Sequence, residues 1–256
     1  MMSIVCFQIE MITDLPPELL LAIFSFLPLK SLIAAQGVDQ QWRRLVPLAN
    51  HPRARKALLE LYHTVVNSPA FEYTRQFILP NLVPFERDDY LAVLAIRCGT
   101  LPTLLPDEFR YWVLEWPALA VIEGTWPGMR NKRWGTRTPS LIRDNSNSLS
   151  VCPPVTKYLK LWTRIKEQDK NGSFPPNTFN PVPERASVIS LEVSQDTTGR
   201  KTWLVLGNSD RDLKGTVHLS GDMIGAPVSQ LASSWVEWQR LVLHLLEYRL
   251  RKLHLL

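Results

Sequence analysis

Long apolar runs are missing from this 256-residue chain. No stretch reaches the roughly 18–20 uninterrupted apolar residues that a bilayer-spanning helix needs, so no membrane anchor is expected. Cysteine is scarce. The three thiols, Cys6, Cys98 and Cys152, are far apart and include no CxxC pair, which argues against a disulfide framework or a cysteine-built zinc site and suits a reducing compartment. The opening MMSIVCFQIEM has no basic flank and meets Glu10 early, which speaks against a secretory signal. A cytoplasmic or nuclear location is expected, and there the glycosylation match at Asn171-Gly172-Ser173 goes unused. Catalytic signatures are missing as well. The five histidines (His51, His63, His218, His244, His254) are scattered, and no HExxH, GxSxG, P-loop or GxGxxG occurs. Ser233 and Ser234 sit too far along one helix from His244 to form a triad. Asp210 and Asp212 lie in a turn rich in Asn, Asp and Ser, which accounts for them without a cation. No enzymatic activity, cofactor or metal is expected.

Charge of one sign is in only mild excess, +5 at pH 7. The densest basic run is Arg130, Lys132, Arg133 and Arg137 with Trp126 and Trp134 interleaved. Aromatics among arginines can stack bases, but a solvated basic loop anchored by two tryptophans is the simpler account of the run, and a nucleic-acid partner is not expected. Trp126 and Trp134, with Arg130 and Arg133, are the expected exposed recognition residues.

Glycine is rare over most of the chain, and five of the eleven crowd into residues 199–225, as closely spaced turns between strands require. The chain divides accordingly into a helix-rich front and a small β region. Residues 53–66 and 88–97 are amphipathic with helical spacing, and Phe109, Trp112, Val113, Trp116 and Leu119 fall at three- and four-residue steps, with Pro117 imposing a break or kink among them. Residues 138–150 and 170–185 are rich in turn formers and are expected as loops flanking a helix at 155–167. The period then changes to two. Residues 188–193, 202–206 and 216–219 are expected as strands of an antiparallel meander, followed by a long amphipathic helix from about Val228.

Residues 15–42 carry only three charged side chains, Glu18, Lys30 and Asp39, although 21% of the chain is charged. Within them LLLAIFSFL (19–27) is apolar almost all the way round, and a helix of that kind must be covered on every side. Pro16 and Pro17 preset its first turn, Pro28 stops it, and a second helix is expected from about Lys30 to Gln36. Two coverings are open: the rest of this chain, or another protein.

The run LPPELLLAIFSFLPLKSLIAAQGVDQQWRRLV resembles the F-box motif, in its fungal form, without a gap. The Leu-Pro opening falls on Leu15 and Pro16, the acid of the first helix on Glu18, and the spaced apolar positions on Leu19, Leu20, Ile23 and Leu27. Leu32 and Ile33 match the middle helix; Val38, Trp42 and Leu45 match the close. The resemblance implies a three-helix module that docks on the adaptor subunit of an SCF ubiquitin ligase, and through it on a cullin, by filling a groove with apolar side chains. Leu15, Pro16, Leu19, Leu20, Ile23, Leu27, Leu32, Val38, Trp42 and Leu45 are the implied adaptor-binding residues. The remaining chain would present a protein substrate whose identity the sequence does not give. The alternative is an adaptor-bound regulatory or scaffold protein outside any cullin ligase.

TWLVL, the turn Asn208-Ser209-Asp210-Arg211-Asp212, GTVHL and LASSWVEWQRLVLHLL resemble the closing portion of SUKH-superfamily domains, which implies an α+β protein-binding domain. The expected architecture is α+β: an F-box module at 12–47, a helical linker region at 48–100, and a C-terminal domain at 101–256 in which a long helix closes an antiparallel sheet.

Overall fold

The computed structural model describes residues 15–129, 146–151, 154–162, 185–207, 213–220 and 228–256. Seven helices come first: α1 (Pro17–Phe26), α2 (Leu29–Ala35), α3 (Gln40–Leu45), α4 (Arg53–Val66), α5 (Pro69–Ile78), α6 (Arg87–Arg97) and α7 (Asp107–Glu115). A six-stranded antiparallel sheet follows, β1 (Ser146–Asn147), β2 (Thr156–Trp162), β3 (Arg185–Gln195), β4 (Lys201–Gly207), β5 (Val217–Ser220) and β6 (Ser229–Ala232), and α8 (Trp235–Lys252) closes the fold. The fold class is α+β, as expected.

Local chemistry explains most boundaries. Prolines sit at the first or second positions of α1 and α5, where a missing N–H costs nothing. Asp39 caps α3 by accepting from the Trp42 N–H at 2.9 Å. Pro117 ends α7 and hands the chain to a short 3-10 turn over Ala118–Ala120. At α8, Ser234 Oγ accepts from the Glu237 N–H while the Glu237 carboxylate turns back to the Ser233 N–H at 2.7 Å, a reciprocal cap. The Ser233 hydroxyl donates to the same carboxylate.

Two expectations fail here. Residues 155–167 were expected as a helix, yet 156–162 form β2, paired residue for residue with β3 (Tyr158 opposite Ile189, Leu159 opposite Val188). Pairing turns Leu159 inward, where Leu161, Val188, Trp203 and Val205 complete a small apolar cluster on one sheet face. Non-local pairing of this kind overrides helix-compatible spacing. The closing helix begins at Trp235, not near Val228, because residues 229–232 add β6 to the edge of β5. The central strand β3 is long enough to pair with both β1 and β2 along one side and with β4 along the other.

The opposite sheet face, through Leu191, Val193, Leu204, Leu206 and Val217, joins one large core with α8 and the helices of the front half. Its centre is aromatic. Trp112 meets Trp126 and Trp235 edge-on with ring centroids 4.8 and 4.9 Å apart, and Phe109 meets Trp235 at 5.0 Å. Polar ties pin α8 down: the Val236 N–H donates to Glu108 at 2.8 Å, and Arg249 pairs with the buried Glu123 at 3.0 Å. Leu20, Phe24, Leu29 and Leu32 belong to this same core, so α1 and α2 are built into the body of the protein.

Candidate docking site

The helix α1 is apolar all round because it has two apolar faces with different surroundings. Leu20 and Phe24 are fully buried, with Leu27 beside them packed against the core. About a quarter turn away, Leu19, Ile23 and Phe26 fall at i, i+4 and i+7, and they stay 52%, 39% and 84% exposed. Val38, in the turn before α3, is 55% exposed, and Leu48 just beyond α3 is exposed as well.

Specific contacts tie the framework beneath this stripe together. Phe24 packs edge-on against Trp42, with ring centroids 5.1 Å apart. The N-terminus of α2 is capped from a distance: Glu115 Oε2 accepts the Leu29 N–H at 2.7 Å, satisfying one of the free donors a helix start presents. Arg55 of α4 holds that carboxylate with both prongs, at 2.7 and 2.9 Å, and its guanidinium lies over the Tyr111 ring at 4.8 Å. Arg43 Nε donates to the Gln36 carbonyl at 3.1 Å, bracing the turn between α2 and α3. The setting is basic: Lys30, Arg43, Arg44 and Arg53 are all exposed around α2, α3 and the start of α4.

Of the residues expected to bind an adaptor, Pro16, Leu19, Ile23 and Val38 are exposed, and Leu15, Leu27, Trp42 and Leu45 are half-buried against the core. Leu20 and Leu32 are corrections, since both are fully covered by the chain's own core and present nothing to a partner. A quarter-turn offset on α1 separates Leu20 from Leu19, which the apolar spelling alone does not resolve. Phe26, the most exposed of the large apolar side chains on these helices, went unmarked in the sequence. Its signal was present as the third member of the i, i+4, i+7 stripe.

The expected recognition surface is also corrected. Trp126 is 1% exposed, wedged between Phe85 and Trp112 beneath the Arg87 guanidinium, which lies 5.1 Å from its ring. It is a core anchor. Arg130, Arg133 and Trp134 lie outside the described residues, as do Asp210 and Asp212. Cys98 is buried, and burial pushes its thiol up to about 11, so it is protonated and unreactive at neutral pH. Among the described residues, no group of three or more His, Cys, Asp or Glu side chains could hold a metal ion, and no helix is long and apolar enough to cross a membrane.

Residues 12–50 match the family model described as F-box-like, a span that contains α1 to α3 and the exposed stripe. Comparison with curated proteins and with solved structures returns no match. The fungal type and the SUKH resemblance therefore rest on the residues quoted for them alone. The chain carries an F-box-like domain at residues 12–50.

Proposed function

We propose that this chain is a non-catalytic substrate receptor of an SCF-type ubiquitin ligase in the cytosol or nucleus, docking through α1 and the turn before α3 and holding a protein client with the rest of its surface. F-box-like domains bind the adaptor subunits that link to cullins, and the match at residues 12–50 supports that link. The single observation that carries the reading is the exposed Leu19-Ile23-Phe26 stripe on a helix whose other apolar face is already buried. Among the described residues the stripe stays exposed, although the same chain buries Leu20 and Phe24 one step away. Each such side chain stabilises a complex by about 1.5–3 kcal/mol when it is fully buried, before association costs. The receptor does no chemistry of its own. It raises the effective concentration of client beside the ubiquitin-charged enzyme.

The test is capture of a purified SCF adaptor by the tagged full-length chain, with the cullin added in a second step. Ile23→Asp combined with Phe26→Asp places two charges in the stripe and is expected to abolish capture, with an unchanged circular dichroism spectrum. Capture unaffected by both substitutions overturns the reading. Adaptor capture without cullin recruitment favours a scaffold acting outside a ligase.

A further inference from the structure

Well away from the docking stripe in sequence, a cleft of about 490 Å³ opens between the start of α6 and the segments at 127–129 and 149–151. That is within the roughly 300–1,000 Å³ range of ligand-binding clefts. Its floor is apolar, with Phe85, Val93, Leu149 and Val151, and its rim carries Glu86 and Asp89.

Three features make it a built site. First, its walls are fixed. The Val83 N–H donates to the Gly128 carbonyl at 2.7 Å, and a Cβ at Gly128 would stand 2.5 Å from the Val83 carbonyl oxygen, so only glycine lets these two segments approach. Phe85 packs edge-on to both Tyr90 and Trp126, with ring centroids 5.8 and 5.5 Å apart.

Second, the local cation is withdrawn. The sequence Glu86-Arg87-Asp88-Asp89 suggests mutual neutralisation, but Arg87 turns inward. Its Nη1 lies 2.9–3.0 Å from the Val113, Leu114 and Trp116 carbonyls at the end of α7, and its guanidinium stacks over Trp126. Its positive charge is felt at Lys30 on α2, whose amine is held below the usual range by burial and then by Arg87. Third, Glu86 and Asp89 are exposed and have no ion-pair partner among the described residues. An apolar floor beneath two carboxylates without an ion-pair partner among the described residues is complementary to a bulky apolar group flanked by a cation.

We propose that this cleft binds an extended protein segment in which a bulky apolar side chain enters the floor and a neighbouring Lys or Arg meets Glu86 and Asp89. The inference rests on the receptor reading above and gives the chemistry of the client segment. The docking stripe and the cleft are formed by different residues, so the two readings fail separately.

The experiment is selection of a random decapeptide display library on the full-length chain, in parallel with the isosteric variant Glu86→Gln/Asp89→Asn. The wild type is expected to enrich peptides that pair Leu, Ile, Phe or Trp with an adjacent Lys or Arg. A synthetic peptide from the enriched set should bind the double variant about tenfold more weakly, and more weakly at high salt. Val93→Glu, which charges the floor, should remove binding while both rim acids remain. Enrichment of peptides without basic residues, equal enrichment on both proteins, or no enrichment overturns the proposal. Adaptor capture is measured on the same preparations. Retained capture without peptide selection overturns the cleft reading alone, and lost capture with peptide selection intact overturns the ligase reading alone.

Discussion

Glu115 and Arg55 form a two-pronged ion pair at 2.7 and 2.9 Å, both side chains 12% exposed, and the same carboxylate caps α2 through the Leu29 N–H. One side chain on α7 thus joins α4 to the second helix of the F-box-like domain. Removing it strands a largely buried guanidinium and an orphaned helix donor together. Glu115→Ala is expected to cost about 3 kcal/mol in urea unfolding. Arg55→Met combined with Glu115→Gln removes the charges and keeps an acceptor for Leu29, and should recover much of that loss. A double variant no more stable than Glu115→Ala contradicts the assignment.

The buried and exposed apolar residues of α1 and α2 should respond oppositely to truncation. Leu20→Ala or Leu32→Ala opens a cavity in the core and is expected to cost about 2–5 kcal/mol. Leu19→Ala, on the exposed stripe, should change stability by no more than about 0.5 kcal/mol while weakening adaptor capture. Urea midpoints and pull-down on the same three proteins check both halves.

Gly128→Ala drives a methyl group into the Val83 carbonyl and to within 2.8 Å of Phe85 Cδ1. Overpacking of this kind costs about 1–3 kcal/mol, and each kcal/mol lowers the melting temperature by about 2–4 °C in a protein of this size. A thermal melt unchanged from wild type is inconsistent with the close approach of the two segments.

His218 on β5 is buried, and burial pushes its imidazole down to about 4 from 6.5. Thr216 Oγ1 lies 2.8 Å from its Nε2 and 2.5 Å from the Leu213 carbonyl, an arrangement that suits a neutral ring donating to the hydroxyl. The folded state holds fewer protons here than the unfolded chain between these two values. Stability is therefore complete above pH 6.5 and falls as the pH drops toward 4, by up to about 1.4 kcal/mol per pH unit. Urea unfolding at pH 7.5, 6.5 and 5.5 should show the decline, and His218→Gln should flatten it.

What the chain reveals before folding depends on how local the governing interaction is. Pro28 and Asp39 punctuate the first three helices within a few residues, and α4 falls on residues 53–66 as its spacing predicts. The short α5, of ten residues, went unmarked although Pro69 opens it, and β2 looks helical until β3 pairs with it. The reciprocal cap of Ser233, Ser234 and Glu237 marks the true start of α8, and the expectation of a helix from about Val228 passed over it. The docking stripe was half legible. Its apolar character was plain, whereas its division into buried and exposed faces depends on partners far along the chain, as with Glu115 and Leu29, 86 residues apart. Trp126 misled for the same reason: its basic neighbours in sequence are not its neighbours in space, where Phe85 and Trp112 enclose it.

The front helices and the sheet share one apolar interior. In an assembly of the proposed kind, a client gripped by this body would be carried at a set angle to the adaptor. Only those client lysines that happen to lie on the arc facing the loaded enzyme would be modified, so choice of acceptor would be a matter of stance more than of recognition.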